Sequence, residues 1–248
     1  MASLLFIRVT LAVVAQLAPS MVDLYLHTQG IPSLPTLSVT YGDYALQGEA
    51  SRFSQQRNNR SKTLATAPRV PVPTSAKCAM LLFIDLDAGG RRNPDDLTAA
   101  GRLGPFVHSM WSRCTPGDDA PRSCGNTHKA YLPPGHTQNP PNRYAWLLFR
   151  YASCAAELKV PSTFKFGKDK LSLRKLLADN TDAGLSPVAY NFLLVGSNPA
   201  CSSPAVWVPL VGQNSGLGGS GCHEPSHERR GPRRDSRRVR RLGVPDRP

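Results

Sequence analysis

The sequence predicts a mainly β fold, and three observations carry that prediction. The first is a set of short runs, rich in branched and aromatic residues, that are bounded by Pro, Gly and Asp: Met80–Asp85, Pro105–Trp111 and Tyr144–Phe149. Runs of that length and composition read as buried strands. The second is the 23 prolines, which favour loops and edge strands over helix. The third is a further apolar run, Val188–Val195, that reads as a closing strand.

The elements follow in chain order. Residues 1–20 are apolar with small residues at Ala18 and Ser20, and read as a secretory signal peptide, although Arg8 interrupts the run. A buried N-terminal helix is the alternative. The run is too short to favour a membrane span. Residues 32–50 alternate around Leu37, Val39 and Tyr41 and read as a strand. Residues 51–76 are polar and basic, then proline-rich, as in a surface loop leading to an edge segment. Residues 112–130 read as a polar insertion. Leu171–Asp179 spaces its leucines as a short amphipathic helix does. Residues 21–197 are therefore expected to form one domain.

From about residue 198 onwards the character changes: Gly216–Gly221 is linker-like, the Arg-rich end has almost no apolar content, and residues 198–248 are expected to be a disordered tail. The formal net charge of +13 is unevenly spread, and the arginines of the last twenty residues contribute heavily to it. Three readings stay open: an electrostatic partner for nucleic acid or acidic membrane, a solvated tail, or a product of faulty gene prediction. Composition favours the third, so nucleic acid is not an expected partner.

There are six cysteines and no Cys-x-x-Cys pair, which argues against a zinc ribbon or a thioredoxin-like site. An even count fits disulfides in an exported protein. Cys114 and Cys124 bracket a Pro- and Gly-containing loop and are the expected pair, with free thiols as the alternative. Export would make Asn59, in Asn59-Arg60-Ser61, a glycosylation candidate.

Each apolar run carries polar residues, so two carboxylates, an imidazole and a phenol are expected to converge at one end of a sheet. The order of these pieces resembles the phosphatidylethanolamine-binding proteins, also known as Raf-kinase-inhibitor-like or carboxypeptidase-Y-inhibitor-like proteins. The matching pieces are a strand ending in Asp85-Leu86-Asp87, then Phe106-Val107-His108, then Tyr131-Leu132-Pro133-Pro134, then Arg143-Tyr144 opening a strand. Outlying pieces at Leu37–Gly42 and Ser186–Phe192 extend the resemblance over roughly residues 31–196. It implies a central antiparallel sheet packed against a smaller sheet, with a few short helices. It also implies a non-catalytic anion pocket for phospholipid headgroups or similar phosphate-like ligands, with no metal and no cofactor. The alternative is a serine-protease or carboxypeptidase inhibitor, or an interaction protein, with a degenerate pocket. A secreted monomer is expected in either case.

Carried over residue by residue, the resemblance points to Asp85, Asp87, Phe106, His108, Pro133, Pro134, Asn142 and Tyr144 as ligand-binding. A cationic His108, charged and oriented by Asp85, would hold a phosphate oxygen. The departures are Asn142 where the family has His, Val107 where it has the first of two His, Leu86 for Pro, and Gly89-Gly90 for Pro-Ser. They imply an anion site that is weakened or altered in preference. Each residue also has a plainer reading: a turn cap for the aspartates, a core histidine for His108, core aromatics for Tyr144 and Trp146. No hydrolase or phosphate-loop motif supports an enzyme, and a paired-carboxylate hydrolase from Asp85 and Asp87 lacks a second acid cluster.

Overall fold

The structure, a computed structural model, describes residues 20–54, 62–90, 96, 98–137, 140–162, 164 and 171–197. All fall within the first of two compact units, Met1–Trp207. Residues 1–19 of the expected leader, the Asn59 sequon, Cys201, Cys222 and the Gly/Arg-rich tail lie outside the described residues.

The described elements are α1 (Met21–Thr28), β1 (Thr40–Tyr41), β2 (Tyr44–Ala45), β3 (Arg52–Ser54), β4 (Val70–Pro71), β5 (Cys78–Asp85), β6 (Phe106–Cys114), β7 (Asp119–Ala120), β8 (Cys124–Lys129), β9 (Asn142–Tyr151), α2 (Leu173–Asp179) and β10 (Ser186–Gly196). Six strands form the main sheet in the order β3-β10-β9-β5-β6-β8, flanked by the small pairs β1-β2 and β4-β7. The fold is mainly β, as expected. One edge departs from the expected antiparallel pattern: β3 runs parallel to β10, with Arg52 opposite Leu194. The long excursion between them gives the chain room for that crossover.

The central strands are buried on both faces, which explains their unbroken apolar runs. In β5, Met80, Leu82 and Ile84 pack under α1 and α2 with Val22, Leu26, Leu173 and Leu176. Ala79, Leu81 and Phe83 face the other way, toward Leu37, Val39, Leu64 and Val70. On that second face Phe83 stacks on Trp146 at 4.1 Å between ring centroids, and Trp146 stacks on Trp111 at 6.3 Å. The Trp146 indole N–H donates to the Tyr41 hydroxyl at 3.0 Å, so its one polar atom is satisfied within the layer.

Four elements went unseen in the sequence: α1, β3, β7 and β8. Helix α1 opens on a capping box: Ser20 accepts from the Asp23 backbone N–H, and Asp23 accepts from the Ser20 backbone N–H. Ser20, read as the last leader residue, thus caps a helix. The segment read as a polar insertion holds the end of β6, β7 and β8. It escaped notice because β8 is an edge strand with a solvated face and no apolar run. Cys114 and Cys124, opposite each other in the β6–β8 register, form a disulfide, and a second joins Cys78 to Cys154. In contrast, the expected amphipathic helix is present as α2, capped by Ser172. No helix of the described residues is long and apolar enough to cross a membrane.

Candidate functional site

The site lies where β5 ends and β6 and β9 begin. Antiparallel pairing sets Asp85 opposite both Phe106 and Tyr144, so three strand termini meet there. Around them is a cavity of about 670 Å³, lined by Asp85, Phe106, His108, Asn142 and Tyr144 from the strands. The loops add Gly89, Gly90, Arg102, Leu132, Pro133, Gly135, His136 and Thr137. Its deeper residues are nearly closed to solvent: Asp85 is 5% exposed, His108 5% and Asn142 2%. At the rim Leu132 is 45% exposed.

His108 reaches the cavity through a bulge. Phe83 pairs with Ser109, but the next residue of β5, Ile84, pairs with Val107, leaving one extra residue in β6. Parity therefore switches. Val107 and Met110, three apart, both join the helix-covered core, while Trp111 faces the opposite layer. His108 sits edge-on to the rings of Phe83, Phe106 and Tyr144 at 5.2–5.5 Å. Bulges re-aim side chains in this manner.

The imidazole is not held by Asp85, contrary to expectation. His108 Nδ1 lies 2.8 Å from the Leu132 carbonyl, which can only accept, so Nδ1 carries the hydrogen. Burial, with a smaller contribution from the charge of Lys129, pushes the His108 pKa down to about 4 against the pull of that carbonyl. The ring is neutral at pH 7, with Nε2 as an acceptor. Desolvation of a group packed among three aromatic rings is the dominant cause.

Asp85 instead gathers neutral donors. Asn142 Nδ2 donates to its two carboxylate oxygens at 3.2 and 2.9 Å, the Asp87 backbone N–H donates at 2.9 Å, and the Tyr144 hydroxyl donates as well. Burial first, and the charge of Asp87 second, raise the Asp85 pKa to about 7 despite these bonds. Burial and the adjacent Asp85 also hold the Tyr144 phenol well above its ordinary range.

Asp87 does not line the cavity. The strand ends at Asp85, and the following turn carries Asp87 to the opposite side, where it is fully buried against Arg143. Arg143 Nη2 donates to Asp87 Oδ1 at 2.6 Å and Nε to Oδ2 at 2.9 Å, while the Arg143 backbone N–H adds a third bond at 2.8 Å. This places Asp87 apart from the cavity that most of the other expected residues line, and separates it chemically from Asp85. Pro134, also expected at the rim, is buried behind it, whereas Pro133 lines the cavity.

The loop after Asp87 forms one wall, and its glycines are sterically required. A Cβ on Gly101 would lie 2.4 Å from the Asp87 backbone carbon. Gly89 has φ +77° and would press its Cβ to 2.6 Å from Leu103. The close approach lets Gly101 N–H bond Leu86 and Leu103 N–H bond Ala88, closing the loop on itself. Arg102 then reaches the cavity with its Nε–H on the Gly89 carbonyl at 3.0 Å. Neither Arg102 nor His136 stood out in the sequence, because each is a lone polar residue in a loop without a motif. Among the described residues no cluster of metal-ligating side chains occurs.

No family model and no curated relative matches the chain. Solved structures do. An inhibitor of carboxypeptidase Y, determined in complex with its cognate proteinase, superposes with a TM-score of 0.50 at 15% identity, over 72% of this chain and 91% of that one. A phosphatidylethanolamine-binding protein from Plasmodium vivax gives 0.48 at 14% identity over 73% and 98%. One from Plasmodium falciparum gives 0.44 at 13% over 73% and 98%. At such identities the likeness is one of fold. The chain has the fold taken by the carboxypeptidase Y inhibitor, as the carboxypeptidase-Y-inhibitor-like resemblance of its motif order implies.

Proposed function

We propose that the protein is a secreted, non-catalytic binding protein whose cavity holds a phospholipid headgroup or a small phosphate ester of similar build. The observation that carries this reading is a polar floor, Asp85 with Asn142 and His108, buried at the end of an otherwise apolar sheet and opening to solvent. Buried polar groups are costly to keep, and a concave apolar site with a few convergent polar groups is where small ligands bind. The exposed Leu132 at the rim gives an acyl or glycerol portion an apolar surface. Separation of Asp87 from Asp85 by the Arg143 ion pair counts against paired-carboxylate hydrolysis. The two disulfides support export.

Nuclear magnetic resonance titration of the full chain with phosphorylethanolamine tests the reading. Millimolar or tighter binding that shifts cavity residues, and is lost in His108→Ala, is expected. Absence of any shift would overturn it. A second reading, inhibition of a serine carboxypeptidase, is favoured by the fold neighbour that was solved on its proteinase. It predicts inhibition that survives His108→Ala.

A further inference from the structure

We infer that the floor of the cavity receives a primary ammonium group, so that a zwitterionic headgroup enters amine first and leaves its phosphate at the rim beside Arg102. This rests on the headgroup reading above and reverses the orientation expected from the sequence, in which His108 holds the phosphate.

The argument is a count of donors and acceptors. Asn142 must turn its amide nitrogen toward Asp85, because the carboxylate accepts. Its Oδ1 therefore points away, and it has no partner although Asn142 is 2% exposed. A buried acceptor left unmatched is unfavourable, and here it belongs to a residue that lines the cavity. His108 donates through Nδ1 to Leu132, so its Nε2 is a lone pair. Asp85 supplies a carboxylate. The donors around Asp85, namely Asn142 Nδ2, the Asp87 N–H and the Tyr144 hydroxyl, are already bonded to that carboxylate.

The floor thus offers acceptors, and its donors are engaged with one another. A phosphate needs donors, whereas an ammonium brings three. The ring of Tyr144, packed against His108, adds aromatic surface that attracts a cation, while the ring of Phe106 already carries the Lys129 ammonium 4.3 Å from its centroid. Among the residues that line the cavity the fixed positive charge is Arg102, exposed at the rim. The amine's place is the floor and the phosphate's is the rim.

The groups around the floor are Asp87 beyond the strand end, Asn142 and Tyr144 from β9, His108 from β6, Arg102 and His136 from the cavity loops, and Lys129 from β8, whose charge acts on His108. With the carboxylate titrating near 7, ammonium binding strengthens with rising pH and levels above that point. A phosphate held at the same floor by protonated groups would behave oppositely.

The experiment titrates the full chain with ethanolamine, phosphorylethanolamine, phosphorylcholine and inorganic phosphate, following side-chain amide and ring resonances at pH 5.5 and pH 8. Ethanolamine and phosphorylethanolamine are expected to shift Asn142, His108 and Tyr144, with affinity at least tenfold higher at pH 8. Inorganic phosphate should leave those three unmoved, and phosphorylcholine, which has no N–H, should bind at least tenfold more weakly than phosphorylethanolamine. Arg102→Gln should weaken phosphorylethanolamine several-fold and leave ethanolamine unchanged. Phosphate moving His108 and Asn142 more strongly at low pH, with ethanolamine inert, would overturn the orientation and leave the headgroup reading standing. Failure of all four ligands to move any cavity residue would remove both. Phosphatidylethanolamine vesicles, sedimented with the chain, then separate a lipid source from the free headgroup.

Discussion

Asp85 and Asp87 stand two residues apart and live in different chemistry. Asp87 turns under the sheet and meets Arg143 in a fully buried ion pair with two side-chain bonds and one backbone bond. Asp85 stays on the strand and meets an amide, a peptide N–H and a phenol, all neutral, beside a cavity. Burial alone does not set the role of a carboxylate. A matched cation makes one into part of the framework; neutral donors leave the other with net charge to offer and a raised proton affinity. Arg143 and Tyr144, adjacent on β9, make the same division, because successive residues of a strand face opposite sides.

The sharpest way to break this contrast is to remove the cation. Arg143→Met leaves Asp87 buried without a counter-charge and is expected to lower stability by about 3–5 kcal/mol. Urea or thermal unfolding checks it. A loss below about 1 kcal/mol would place Asp87 in the same class as Asp85.

The next effect is on the pH dependence of stability. The folded pKa of Asp85 lies near 7, above its ordinary 3.8, so its stabilising contribution is fully present below about 4 and is lost as pH rises through 7. The folded pKa of His108 lies near 4, below its ordinary 6.5, so its contribution is present above 6.5 and is lost as pH falls through 4. Between pH 4 and 6.5 the slopes oppose and nearly cancel. Asp85→Asn should unmask a stability that rises with pH there, and His108→Phe one that falls, each by at most about 1.4 kcal/mol per pH unit. Chemical denaturation at four or five pH values reads the slopes. Two variants with slopes of the same sign would contradict the assignment.

The smallest effect is on an ion pair that looks similar on paper. Lys175 and Asp179, one turn apart on α2, lie 2.8 Å apart but remain 73% and 37% exposed. Asp179→Ala should cost no more than about 0.5 kcal/mol, since water already solvates both partners. A thermal shift comparable with that of Arg143→Met would show that distance, not burial, governs these pairs.

Much of the molecule was legible beforehand where the signal is local. The apolar runs of β5, β6, β9 and β10 announce strands buried on two faces, and the leucine spacing announces α2. The Cys114–Cys124 pair followed from a short loop closing on itself. Where the signal needs a partner distant in sequence, it was missing. Helix α1 is only eight residues long, and Val22, Tyr25 and Leu26 find their partners in the core beneath the main sheet. The partner of Cys78 is 76 residues away. Strand β8 gains its place from the edge of a sheet, not from its own composition.

At the site, the sequence alone determined which residue types arrive together, because strand ends in an antiparallel sheet are neighbours whatever their side chains. It therefore brought Asp85, Phe106, His108, Asn142 and Tyr144 to one place. Only the tertiary structure decided what each would do. One bulge in β6 aims His108 at the cavity, one turn sends Asp87 to Arg143, and the Leu132 carbonyl takes the imidazole hydrogen that Asp85 was expected to receive. Those outcomes depend on pairing register and on desolvation, both of which are properties of contacts between distant segments and are written in no single stretch of the chain.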